Sequence, residues 1–166
     1  MKEVIPEFSR PIEVARVANT GAHEKIVADE KECVALAMRL KLPAVQSVAA
    51  HLVVKPWIGG GYKVTGNVTA EFDQESVVSL ELFRSKFSFP VERYFLKKAR
   101  DDGADDADVI ENGVIDLGEV AAETIGLELD PYPRKPGESF AIVSDTDPLV
   151  TAKVTPFAVL KRDPTV

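Results

Sequence analysis

Arg84, Lys86, Arg93, Tyr94, Lys97, Lys98 and Arg100 gather bases around one stretch of chain, with Phe87, Phe89 and Phe95 interleaved. Lysine and arginine meet phosphate, and aromatic rings stack on bases, so the chemistry this mixture suits is RNA binding. A plainer reading competes with it and stands ahead of it. Phe87, Phe89, Val91 and Phe95 are then core residues of a strand, and the bases are its solvated face. Arg134-Lys135, bracketed by Pro133 and Pro136, is a rigidly presented basic pair that either adds to such a surface or belongs to a loop lock. On the binding reading the contact residues are Arg93, Lys97, Lys98, Arg100, Arg134 and Lys135.

Other combinations are weaker. Gly59-Gly60-Gly61 lacks the Lys-Ser/Thr of a phosphate loop and opens no helix, so it reads as a hairpin turn. Asp105-Asp106-Ala107-Asp108-Val109 does not follow the ligand pattern of a calcium loop. His23 and His51 stand apart from the single cysteine, Cys33, whereas zinc sites announce themselves by paired ligands. Cys33 falls on the apolar face of a helix, which makes it a core thiol rather than a nucleophile. There is no Gly-x-Ser-x-Gly, and no carboxylate pair stands out for acid–base work. The expectation is a binding protein: no catalytic residue, no metal, no cofactor.

The elements that must hold these residues mix β and α. Pro11 to Val17 and Ala22 to Ala28 read as strands about an Asn19-Thr20-Gly21 turn. Asp29 caps a helix from about Glu30 to Leu40, with Glu32 in the capping-box position and Cys33, Leu36, Ala37 and Leu40 on one face. Val48 to Trp57 is a strand. Tyr62 to Phe72 alternates cleanly, with Tyr62, Val64, Gly66, Val68, Ala70 and Phe72 on one side and Lys63, Thr65, Asn67, Thr69 and Glu71 on the other. Asp73-Gln74-Glu75 reads as a turn into a strand from Ser76 to Phe83. Phe87 to Leu96 contains Pro90 and so belongs at an edge or a bulge.

Residues 101 to 111 hold Asp101, Asp102, Asp105, Asp106, Asp108 and Glu111 and no base, which predicts a flexible acidic loop over about 101–113. Asp116 caps a second helix, about Leu117 to Glu128, with Glu119 placed to reach back to the Asp116 amide. Leu117, Val120, Ala121, Thr124 and Leu127 are expected on its buried face, and Glu119 and Glu123 in solvent. Asp130-Pro131-Tyr132-Pro133-Arg134-Lys135-Pro136-Gly137 stops that helix. Ser139 to Val143 reads as a short strand, and about 149–166 as a loosely attached tail. The fold class expected is α+β: one domain over 1–166, a mainly antiparallel sheet, open or barrel-like, and two helices.

The order of these pieces resembles the YceD family, the large ribosomal RNA subunit accumulation proteins of bacteria and plastids. Asp116-Leu117-Gly118-Glu119 at the late helix, Leu127-x-Leu129-x-Pro131-x-Pro133 at its exit and Pro156-Phe157-Ala158-Val159-Leu160 near the end carry the resemblance. Gly66-Asn67-Val68-Thr69-Ala70 and Val77-Val78-Ser79-Leu80-Glu81 are similar to the family's central strands. It runs from about Phe8-Ser9-Arg10-Pro11 to Leu160. The resemblance implies a bacterial ribosome biogenesis factor that supports synthesis, processing or stability of large-subunit rRNA by binding, with the rRNA or a ribosomal protein as partner. Many relatives carry cysteine pairs, one of them where this chain has Asp73-Gln74-Glu75-Ser76, so no metal role is carried over.

With 166 residues, 45% apolar and 28% charged, the chain fits one globular domain. No apolar run approaches a bilayer's width, and Met1-Lys2-Glu3-Val4-Ile5-Pro6 lacks a secretory apolar core, so a cytoplasmic location is expected. The net charge of -7 comes largely from the acidic run: without it, 21 of the 27 acids stand against 20 bases. That total argues against broad phosphate binding but permits a local basic face. It also permits the acidic run to bind a basic ribosomal protein. A metal-dependent RNA-processing enzyme is the third class, and it requires clustered acids.

Overall fold

The alternation from Tyr62 to Phe72 extends at both ends into a long strand at the centre of an open sheet. In a computed structural model, which describes residues 6–98 and 107–139, the elements run β1 (Pro11–Glu13), β2 (Ala22–Val27), α1 (Glu30–Leu40), β3 (Ala44–Trp57), β4 (Gly61–Glu75), β5 (Leu82–Leu96), β6 (Ala107–Val109), β7 (Val114–Asp116) and α2 (Leu117–Glu128). The class is α+β. Five strands pair in the order β2-β3-β4-β5-β6, and β1 pairs separately with β7. Every pairing is antiparallel except β5 with β6. The sheet does not close into a barrel among the described residues.

One face of the sheet is apolar: Val48, Ala50, Leu52 and Val54 from β3, Val64, Val68, Ala70 and Phe72 from β4, and Phe89, Val91 and Phe95 from β5 are all buried. Both helices lie on this side, α1 over β3 and α2 over β4 and β5. α1 has the expected limits and the expected reciprocal cap: Asp29 accepts from the Glu32 amide and Glu32 from the Asp29 amide, each at 2.8 Å. Cys33 is buried against the sheet, and burial pushes its thiol above the usual range.

The limits of α2 are also as expected, but its cap is not reciprocal. Asp116 accepts from the Gly118 and Glu119 amides. The Glu119 carboxylate turns away to Arg39 of α1, whose guanidinium also holds Glu7. Glu119 and Glu123 are therefore half-buried rather than solvated, Glu123 lying against Arg93. Leu127 is a larger correction, for it is 78% exposed. At 100° per residue, Leu127 lies about 120° round from Ala121, in the middle of the buried stripe, whereas Ile125 lies about 40° from it. Ala122 and Ile125 take that place. Leu127→Ala is thus expected to change stability by less than about 0.5 kcal/mol, and Ile125→Ala to cost about 2–5 kcal/mol. Urea unfolding of the two variants decides between the stripes.

Four other expectations change. The first strand ends at Glu13, and Val14–Arg16 form a 3-10 turn. Asp73-Gln74-Glu75 is the end of β4 rather than a turn, and the turn falls instead on the segment read as a strand. The fully buried Ser76 makes it: its hydroxyl accepts from the Val78 and Ser79 amides, and its own amide donates to the Glu81 carbonyl. Of the acidic loop, residues 107–113 are structured. β6 lies along the end of β5, Asp108 pairs with Arg93 at 2.5 Å, and Asn112 and Gly113 turn the chain with positive φ. Residues 101–106 lie outside the described residues, as do the expected strand beyond Ser139 and the tail over 149–166. Phe87, expected in the core, is 42% exposed, stacked on Phe72 and Phe89. Pro90 sits where β5 pairs with β4 alone, an edge position as expected.

Candidate nucleic-acid interface

The second face of the sheet carries no described element. From His23 to Tyr94 its side chains are exposed or half-buried, and only at one end is Leu96 buried beside Gly61. Directly opposed residues share a face. The registers therefore build rows across it: Lys25, His51, Asn67 and Pro90; then His23, Val53, Thr65 and Glu92; then Lys55, Lys63 and Tyr94. Trp57 and Gly61 face each other in the next row, and Lys97 and Lys98 continue the chain beyond Leu96. Along this end, among the described residues of these rows and the two that follow Leu96, Lys25, Lys55, Lys63, Lys97 and Lys98 stand against Glu92. The far end is slightly acidic, with Glu71, Asp73 and Glu75 against Arg84 and Lys86.

The aromatic residues at the basic end are held in place. Trp57 and Tyr94 have ring centroids 4.6 Å apart at 50°. The Lys63 ammonium lies 5.0 Å from the Tyr94 ring centre and 3.1 Å from Glu92, and the Tyr94 hydroxyl donates to Glu92. The Tyr94 hydroxyl, and then Glu92, push Lys63 above its usual range. The same hydroxyl, and then Lys63, hold the Glu92 carboxyl below its own. Beside this group is a cleft of about 540 Å³ lined by Trp57, Ile58, Gly59, Leu96, Lys97 and Lys98. The glycine-rich hairpin expected over Gly59-Gly60-Gly61 forms its rim.

The six residues expected to make contact are not brought together. Lys97 and Lys98 lie exposed at the cleft. Arg93 lies on the opposite face, because neighbours along a strand point to opposite sides. There it is enclosed by Asp108 and Glu123. Burial lowers its affinity for the proton, but Asp108 and then Glu123 outweigh that, and the guanidinium ends above its usual range. Arg134 and Lys135 belong to the other end of the sheet, about 45 Å away along β5. Pro133 accepts from the Val77 amide, Lys135 pairs with Glu81, and Glu138 accepts from Ser76, so the proline segment is fastened to the β4–β5 turn. Arg100 lies outside the described residues. Arg84 pairs with Asp73 at the far end.

Trp57, Lys55, Lys63 and Lys25 were not singled out from the sequence. The signal was there: a two-sided strand from Tyr62 and a glycine turn before it set Lys55 opposite Lys63. Among the described residues no group of three or more His, Cys, Asp or Glu side chains is placed to hold a metal ion, and no helix is long and apolar enough to cross a membrane. Comparison with protein-family models, with curated proteins and with solved structures finds no match.

Proposed function

We propose that this protein is a cytoplasmic ribosome biogenesis factor that acts by binding, and that it supports large-subunit rRNA through contacts made by the basic end of the uncovered sheet face. The observation that carries this is the segregation of charge. In a chain of net charge -7, Lys25, Lys55, Lys63, Lys97 and Lys98 concentrate where Glu92 is the one opposing acid of the rows. Phosphate contacts release counterions, so such a surface gives salt-dependent affinity without base recognition. The direction toward large-subunit rRNA rests on the resemblance to the YceD proteins.

The test is a variant with Lys25, Lys55, Lys97 and Lys98 all replaced by glutamine. With a labelled large-subunit rRNA fragment, its affinity is expected to fall roughly tenfold to a hundredfold, and the slope of log K against log salt to flatten by about 3. Crosslinking in cells is expected to recover large-subunit rRNA with the parent and much less with the variant. Unchanged affinity would show that this face is only solvated. A parent that binds no RNA yet captures a ribosomal protein would move the function to protein recognition. The acidic cleft lined by Asp108, Glu111, Asp116, Glu119 and Glu123 would then be the surface to examine.

A further inference from the structure

Lysines alone hold single and double strands alike, and nothing in the charge distribution chooses between them. The cleft beside Trp57 does. Its walls are apolar at Trp57, Ile58 and Leu96 and basic at Lys97 and Lys98. Its volume of about 540 Å³ falls within the ~300–1,000 Å³ of sites that hold small organic groups. Trp57 is half-buried and its ring is set by contact with Tyr94, which is itself held by Glu92 and Lys63. A ring fixed before binding loses little freedom when a second ring stacks on it.

Resting on the RNA-binding reading above, we infer that the Trp57 cleft takes an unpaired nucleobase, stacked on the indole, with Lys97 and Lys98 meeting the flanking phosphates. A paired base does not fit this description. In a duplex both faces of each base are covered by its neighbours, and the deep, narrow major groove of A-form RNA admits no side chain. The substrate class is therefore single-stranded RNA, a loop or an end, taken by stacking rather than by reading base edges. The glycine turn contributes by leaving the rim low: at Gly59 and Gly60 an added Cβ would meet nothing within 4 Å.

Trp57 is the chain's one tryptophan, so it reports on its own site. A 12-nucleotide single strand and a 12-base-pair RNA duplex, each carrying a distant dye, are titrated into the 166-residue protein. Anisotropy of the dye and emission of the tryptophan are followed together. The single strand is expected to quench the tryptophan by half or more as it binds, and the duplex to bind without that quenching. Trp57→Leu is expected to lose roughly tenfold in affinity for the single strand and to leave duplex affinity and its salt slope in place. Trp57→Phe, which keeps a ring, is expected to recover most of the loss and guards against a folding effect, checked by thermal melting. Equal quenching by both RNAs, no quenching by either, or a Trp57→Leu variant with the parent's strand preference would overturn the inference while leaving the lysine surface standing. Absence of any anisotropy change with either RNA would overturn both readings, and only that result does so.

Discussion

Phe8→Ala is expected to destabilise the protein by about 3–5 kcal/mol, the cost of emptying an aromatic core site. Phe8 precedes every regular element among the described residues, yet it is completely buried and belongs to the same core as Phe72, Leu117 and Ile125. Its neighbours fasten it there. Ser9 donates to Asp116 at 2.5 Å and the Arg10 amide to the same carboxylate at 2.7 Å. The Arg10 side chain pairs with Glu32 of α1 and lies 4.8 Å from the centre of the Phe8 ring. Gly118 completes the seat: a Cβ there would come within 2.3 Å of the Phe8 carbonyl oxygen, so only glycine lets α2 approach this segment. Urea unfolding is expected to show a lower midpoint with an unchanged slope. A loss under about 1 kcal/mol would mean that the segment is an appendage and not part of the core.

Gly66→Ala is expected to cost roughly 2–4 kcal/mol, from two causes acting at one position. Its φ is +150°, a conformation side chains rarely adopt, and an added Cβ would stand 2.0 Å from the carbonyl oxygen of His51 on β3. Gly66 lies opposite Leu52 and Val91, in the middle of the buried face, so the clash cannot be relieved without moving β3. Gly59→Ala is the control. It too has positive φ, +75°, but its Cβ would meet nothing, so only the backbone cost of about 1 kcal/mol remains. If the two variants melt together, the close approach of β3 to β4 is not what requires glycine at position 66.

How much of this was legible in the sequence depended on where the information lies. Both helices were bounded correctly because their limits are local: Asp29 and Asp116 at the starts, prolines beyond the ends. The β4–β5 turn was misplaced because Asp73-Gln74-Glu75 has turn composition, whereas Ser76 makes the turn through a hydroxyl that composition does not reveal. Leu127 was placed on the buried face, and Ile125 was not named, because a stripe extended by fixed steps drifts round the helix. The interface was legible only in part. Lys97 and Lys98 were found, but Arg93, four residues earlier, points to the opposite side. Trp57 and Lys55 reach the site only through a pairing between strands, which no window along the chain contains.

The pairing of β1 with β7 joins residues 11–13 to residues 114–116, and Ser9 to Asp116 spans 107 positions. At synthesis rates of ~5–20 residues per second, the first residues wait about 5–20 seconds for their partners to leave the ribosome. During that interval Phe8 has no seat, and the side of the sheet that α2 will cover is open. Contacts so distant along the chain also make closure slow once both ends are present. Among the described elements, α2 is therefore the last to emerge, and the segment from Phe8 to Glu13 docks only after it. A chain broken off before Asp116 lacks the cap, the seat for Phe8 and the α2 cover for β5 together, so the loss of one late segment also leaves the segment around Phe8 exposed to proteolysis.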